Sequence, residues 1–417
     1  MTSNAFAIAS NAFSRHSRAR PRLKRRASAN AWSFDGERAT SPLGERIAYV
    51  SRPDVKFLYD EVFARETYGF ASEDDDARDE DSGARRANER RCVVDVGANI
   101  GLSTVCFARQ LSERDVVIAI EPISRTFDAL VTNVCELVFK RERRSASSDA
   151  SSDASSDASA TLDTEPLGGG PSSGMPLVYA YNVGVGARAT ASAAFTHFPR
   201  AAGWSTSSAT RDDEETAENA EKYVFEALRE DGELNVERNG KGNTRASSSN
   251  ARSDGLEENA ATAIGRFARR FILDEDAYAR STPWRRAMSS FVEFVLRWCI
   301  RVVVRFMLSG ASVERRPVVT VSDVIERHRR DGDFVVDVLK IDVERGELDV
   351  LRGVVPEHWP IIQRVVLECH DIDGALEDAK RLLRSAGFAD VSSTQPAALR
   401  GGTLHNIYAS RRALARA

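Results

Sequence analysis

Val93-Val-Asp-Val-Gly-Ala-Asn-Ile-Gly-Leu102 is the stretch from which the rest of the chain can be read. Val93, Val94, Asp95 and Val96 read as a buried strand that runs into a turn holding Gly97 and Gly101, and an amphipathic helix is expected from about Leu102 to Leu111. A parallel strand that ends in glycines and feeds a helix N-terminus lets an α/β sheet approach a nucleotide-like ligand with its backbone. Asn99 and Leu102 stand where a dinucleotide fingerprint needs glycines, so the pyrophosphate cradle is absent and a nicotinamide-dependent oxidoreductase is disfavoured.

A second strand, Val116-Val-Ile-Ala-Ile120, ends at Glu121-Pro122. A carboxylate at that point is placed to accept hydrogen bonds from both hydroxyls of a ribose. A cofactor with a ribose and no phosphate, held by Asp95-x-Gly97-x-Asn99-x-Gly101 and Glu121, is most economically S-adenosyl-L-methionine.

The 417 residues suffice for one large domain or two modest ones, and a net charge of −4 gives no general case for nucleic-acid binding. Five cysteines without a CxxC pair read as reduced packing residues, so no metal site is assigned to them. Met1 to Phe34 contains no acidic residue, whereas Arg15, Arg18, Arg20, Arg22, Lys24, Arg25 and Arg26 cluster among Ser and Ala. That composition is expected of an organellar transit peptide over 1–34, chloroplast before mitochondrion, with a disordered basic tail on a cytoplasmic protein as the alternative.

Residues 35–91 are expected to hold a cover segment, helical in spacing from Ile47 to Phe70, and a charged linker from Glu73 to Arg91. The main domain is expected over 92–410, interrupted by a low-complexity insertion at 145–176, a polar one at 209–262 and an apolar helix at 284–308. Ser124 to about Phe139 reads as a helix, and Leu177–Tyr181, ending at Asn182, reads as a third strand. The apolar helix carries Glu293, Arg297, Arg301 and Arg305 four residues apart, which makes it a poor membrane span. A packed lid, a peripheral membrane contact and a surface for a greasy acceptor are its three readings.

Further on, Ser322 or Asp323 is expected to cap a short helix opening in Val318–Asp323, Val335–Ile341 is a fourth strand ending at Asp342-Val-Glu344, and Ile361–Leu367 is a fifth ending at Glu368-Cys-His370. Two more strands, Phe388–Val391 and His405–Ala409, close an alternating pattern that predicts a doubly wound, mostly parallel α/β sheet. Asp95–Gly101, Glu121, Asn182, Asp342–Glu344 and Glu368–His370 all fall at carboxyl ends of strands, where such sheets bind ligands.

Asp95–Gly101, Ile120-Glu-Pro122, Leu339-Lys-Ile-Asp-Val-Glu344 and Glu347-Leu-Asp-Val-Leu-Arg-Gly353 together resemble the FkbM family of S-adenosylmethionine-dependent methyltransferases, over roughly Val50 to Ser410. The Gly203-Trp-Ser-Thr206 cluster and the helical insertion are similar to the branch found in or beside polyketide and peptide synthases. The resemblance implies a seven-stranded class I methyltransferase sheet and O-methylation of a hydroxyl on a sugar, polyketide, lipid or related small molecule. It also implies that Asp95, Gly97, Ala98, Asn99 and Gly101 line the methionine and ribose end, beside Glu121 and Asn182. Lys340, Asp342 and Glu344 would face the acceptor, with Asp342 the first candidate base and Glu344 and His370 behind it. His370 with Asp342, Glu344 or Glu368 is a less favoured set for a divalent metal. Arg345 departs from the family, which mostly has glycine after the glutamate. The rival reading is a non-catalytic protein that kept the cofactor fold and docks to a membrane or partner through the 284–308 helix.

Overall fold

The computed structural model describes residues 32–64, 90–141, 162, 164–207, most of 213–221, 282–329, 334–395 and 402–411. The chain forms two compact units. The first comprises residues up to 211, 310–394 and from 405 onward; the second comprises 212–309 and 395–404.

The first unit is built on strands β4 (Arg90–Val96), β5 (Val116–Ile120), β6 (Gly168–Gly170), β7 (Met175–Tyr181), β12 (Phe334–Ile341), β13 (Arg364–His370), β14 (Asp390–Thr394) and β15 (Leu404–Ser410). They form one mixed sheet in the order β14-β15-β13-β12-β4-β5-β7-β6. The run from β13 to β7 is parallel, with Lys340 opposite Asp95 and Ile120 opposite Tyr181. Alternate residues of the strands feed two separate apolar clusters. Cys92, Val94, Val96, Ile118 and Ile120 pack with helices α5 (Val321–His328), α6 (Glu347–Arg352) and α7 (Ala375–Ser385). Val93, Val117 and Ala119 pack with α2 (Leu102–Ala108) and α3 (Ser124–Asn133). A strand buried on both faces reads as the near-continuous apolar run seen in β4 and β5.

The sheet has eight strands where the sequence leads to seven. The extra one, β6, lies inside the segment expected as a low-complexity insertion and pairs antiparallel with β7. Gly169 is required by close backbone approach: a Cβ there, where φ is +107°, would lie 1.8 Å from the Pro176 carbonyl oxygen. Composition alone reads Gly168-Gly-Gly170 as linker, because the contact that orders it comes from β7.

Three further differences have local causes. β13 starts at Arg364, after a 3₁₀ turn at Trp359–Ile361, so Glu368 and His370 belong to the strand itself. Thr320, not Ser322 or Asp323, caps α5: its hydroxyl accepts from the Asp323 amide at 3.0 Å, while the Asp323 carboxylate accepts from the Thr320 amide at 2.8 Å. Residues from Ser312 to Val319 form strand β11, which pairs with β9 (Thr190–His197) in a four-stranded sheet completed by β8 (Gly184–Val185) and β10 (Thr206–Ser207).

At the N-terminus, β1 (Ser33–Asp35), β2 (Arg38–Thr40) and β3 (Arg46–Ala48) form an antiparallel sheet, with Trp32 edge-on to Tyr59 at 5.3 Å. β1 therefore begins at Ser33, within the last residues of the 1–34 stretch expected as a presequence. Helix α1 (Arg52–Tyr59) continues as a π-helical turn over Asp60–Ala64. The basic residues 15–26, the charged linker up to residue 89, residues 145–161 of the low-complexity insertion and residues 222–262 of the polar one lie outside the described residues. In the second unit, α4 spans Pro283–Leu308, and among the described residues no helix is long and apolar enough to cross a membrane.

Candidate functional site

The turn after β4 is held by its backbone. Gly97 and Ala98 both donate to the Ile120 carbonyl at 3.0 Å, and Gly101 opens α2 with φ of +82°. Gly97, at φ +73°, also admits the next strand: a Cβ there would lie 1.7 Å from the Asp342 carbonyl oxygen. The Asp342 amide donates to the Val96 carbonyl at 3.0 Å, so the loops after β4 and β12 are locked side by side. Asn99 takes the left-handed conformation (φ 51°), and its side-chain oxygen accepts from the Ile100 amide at 2.7 Å.

Glu121 is buried, and its two oxygens accept from the amides of Asn99 (3.1 Å) and Ile123 (2.9 Å). Burial pushes its carboxyl up to about 7 despite those amides. Asn182 clamps the same corner, donating to the carbonyls of Glu121 (2.8 Å) and Pro122 (3.0 Å) and accepting from Arg316 Nε (2.9 Å).

Lys340 is the pivot between the two halves. Its Nζ lies 3.0 Å from Asp95 Oδ1 and 3.4 Å from Asp342 Oδ2, and donates to the Gly97 carbonyl at 2.9 Å. Burial opposes the ammonium, but Asp95 and Asp342 outweigh it and raise its pKa. Asp95 is fully buried, and its other oxygen accepts from Ser103 (2.7 Å) and Thr104 (2.6 Å). Asp95 therefore braces Lys340 and α2 from inside the sheet, and Lys340 in turn holds the half-buried carboxylate of Asp342 at the mouth of the cleft.

Beyond Asp342 lies an acidic group. One carboxylate oxygen from each of Asp342, Glu344 and Glu368 falls within 4.8 Å of the others, near enough to raise one another's pKa and to converge on one divalent cation. Burial pushes Glu344 up to about 7 against the pull of His370, with Asp342 and Glu347 adding to the rise. Glu368 is raised well above the carboxylate range by burial and by Asp342 and Glu344. His370 donates through Nδ1 to Glu347 Oε1 at 2.9 Å and faces Glu344 Oε2 through Nε2 at 3.4 Å. Burial works against the imidazolium, but the Glu347 hydrogen bond and the charges of Glu344 and Glu347 hold its pKa up to about 9. His370 is thus held toward its imidazolium form between Glu344 and Glu347.

Sequence reasoning passed over Glu347 and Glu61. Glu347 was legible only as part of a helix-opening motif, though its place three residues after Glu344 was a signal for a shared ligand. Glu61, on the turn after α1, reaches the cavity lined by Asp342, Glu368 and Tyr408, and nothing in its charged surroundings distinguishes it. The Gly203–Thr206 cluster anchors loops: Thr206 Oγ1 donates to the Glu344 carbonyl at 2.5 Å and Gly203 N to Asp54 at 3.2 Å.

Glu344 and Arg345 both have positive φ, 52° and 74°. A side chain in that region costs about 1–2 kcal/mol, which accounts for glycine as the residue expected after the glutamate. Arg345→Gly should raise stability by up to about 1 kcal/mol, since the freed strain is partly offset by glycine's extra unfolded-state entropy. Thermal melting checks this, and a lower melting temperature would show that the Arg345 side chain makes compensating contacts.

Residues 215–389 match the Methyltransferase FkbM domain. That span holds Lys340, Asp342, Glu344, Glu347 and His370, and begins after the Gly97–Gly101 turn and Glu121. The chain is similar to the 31-O-demethyl-FK506 methyltransferase FkbM of Streptomyces tacrolimicus, 44% identical over 105 residues, which is 25% of this chain and 38% of the relative. It is 54% identical over 54 residues to Methyltransferase 1 of Beauveria bassiana (13% and 22% of the two chains) and 39% identical over 72 residues to Methyltransferase sdnD of Sordaria araneosa (16% and 28%). The chain thus spans well under half the length of these relatives. No solved structure matches. Asp342, Glu344 and His370 thus lie within the stretch, 215–389, that matches the Methyltransferase FkbM domain.

Proposed function

We propose that the protein is an S-adenosylmethionine-dependent O-methyltransferase acting on a hydroxyl of a small molecule such as a sugar, polyketide or lipid. The observation that carries it is the acidic and histidine group of Asp342, Glu344, Glu368 and His370, joined through Lys340 to the Gly97 turn. The Streptomyces relative, named as a methyltransferase of an O-demethyl compound, supports oxygen as the acceptor atom.

The residues suit this cofactor. The cleft beside Gly97 and Asn99 offers carboxylates, and the lysine that reaches it, Lys340, is paired with acids. Such a donor set favours a sulfonium and a ribose diol over a phosphate chain. Glu121 would hold the ribose, with the Gly97–Gly101 backbone beside the methionine end. Leu58, Glu61 and Val62 reach over the turn and leave a cavity of about 20 Å³, so the cofactor needs the Arg52–Ala64 segment to shift outward.

S-Adenosylmethionine supplies a methyl on a positive sulfur and leaves as a neutral thioether. The protein's part is to aim the acceptor oxygen, exclude water and take the hydroxyl proton. Asp342, at the cleft mouth, accepts that hydrogen bond. Glu344, with a carboxylate oxygen within 4.8 Å, favours the proton on Asp342 through its charge, and His370 balances that charge.

The pH profile tests this assignment. Glu344 must be ionised, so the rate should rise as pH passes about 7; His370 must stay protonated, so it should fall above about 9. Glu347→Gln removes the main upward push on His370 and should move the alkaline limb to lower pH, a change a merely structural role would not produce. A flat profile from 6 to 10 would remove both residues from proton transfer. Activity that survives chelator keeps this reading, whereas loss restored by magnesium would assign the three carboxylates to a metal instead.

A further inference from the structure

Helix α4 presents a second apolar face that nothing in the catalytic reading uses. Ser289, Ile300, Val304 and Leu308 are its buried side. Spacings of seven, four, three, four and four residues keep Trp284, Phe291, Val295, Trp298, Val302 and Phe306 on the opposite side. All six are exposed, Trp284 at 66%, Trp298 at 60% and Phe306 at 61%. The stripe runs for roughly 33 Å at a helical rise of about 1.5 Å per residue. An apolar surface of that size marks a binding face.

The charges beside it select the occupant. Arg285 and Arg305 are exposed along its edges. Arg297 and Arg301 are anchored within the second unit by Glu221, at 2.8 and 2.5 Å. Glu293, the helix's one acidic residue, falls seven residues before Ile300 and so on the buried side. No acid borders the stripe within this helix. A second copy laid against it would bring arginines onto arginines, which disfavours self-association. Tryptophans, phenylalanines and flanking arginines on a helix that does not span are what an anionic bilayer surface accepts: rings enter at the headgroup level and guanidinium groups meet lipid phosphates.

We propose that α4 is a peripheral membrane-docking helix that lies flat on anionic lipid through the Trp284–Phe306 stripe. The test is co-sedimentation of the full chain with vesicles of phosphatidylcholine alone, and with about a third phosphatidylserine. The expected result is binding to the mixed vesicles, weakened by salt, with tryptophan emission shifted to the blue. Trp298→Ser with Phe306→Ser should weaken binding at least about tenfold while leaving the melting temperature unchanged, because both side chains are exposed. Arg285→Glu with Arg305→Glu should abolish the preference for phosphatidylserine. Protein left in the supernatant with both vesicle types would overturn the proposal. So would vesicle binding unaffected by the serine pair, or a solution dimer that the serine pair dissociates in place of any vesicle binding.

Discussion

Lys340→Met is expected to destabilise the protein by about 3–5 kcal/mol, because it leaves Asp95 buried without its counter-charge. The aspartate is fully enclosed, and Lys340 Nζ, 3.0 Å away, is the cation beside it. The same ammonium donates to the Gly97 carbonyl, so its loss also unties the glycine turn from the β12 strand. A shift on the order of 10 °C in thermal melting is the expected reading. Asp95→Asn in the Lys340→Met background should recover part of the loss, since the amide removes the stranded charge. A change below about 1 kcal/mol in the single variant would mean that water or relaxation already compensates Asp95, as at an exposed pair.

Asp342→Asn should act on turnover instead. Its carboxylate lies at the cleft mouth, tied to Lys340 at 3.4 Å and within reach of Glu344 and Glu368. Removing a general base of this kind lowers rate by about 10²–10⁴-fold. Cofactor affinity should stay within about threefold, because the cofactor's proposed holds are Glu121 and the Gly97–Gly101 backbone. Release of S-adenosylhomocysteine from a panel of hydroxyl acceptors measures the first, and calorimetry the second. Unchanged turnover would move the base to Glu344 or Glu368. Lost cofactor binding would make Asp342 a cofactor ligand.

The strands that carry the site were legible because burial on both faces writes itself as uninterrupted Val and Ile. β4, β5 and β12 fall within three residues of their expected bounds for that reason. β6 was not legible, since three glycines carry no pattern and their order depends on a partner strand. β11 was missed because a half-exposed strand with Glu314, Arg315 and Arg316 gives only weak alternation.

Within the site, residue types were easier to read than roles. The motif spacing brought Asp342, Glu344 and His370 to one place, as the structure does. It did not show that Asp95 is sealed inside the sheet, or that both functions of the Asn182 amide are taken by its neighbours. Those facts depend on what packs above a strand end. Arg345 was a visible departure, and its positive φ explains why glycine fits there.

The central claim is that the Gly97–Gly101 turn and Glu121 bind S-adenosylmethionine, and calorimetry on the full chain tests it most directly. Titrations with S-adenosylmethionine, S-adenosylhomocysteine and NADH should give micromolar binding for the two sulfur ligands and none for NADH. Glu121→Ala, which removes the ribose-facing carboxylate, should weaken both sulfur ligands by at least about tenfold. Binding of NADH in their place, or no binding of either sulfur ligand by a chain that melts cooperatively, would contradict the account.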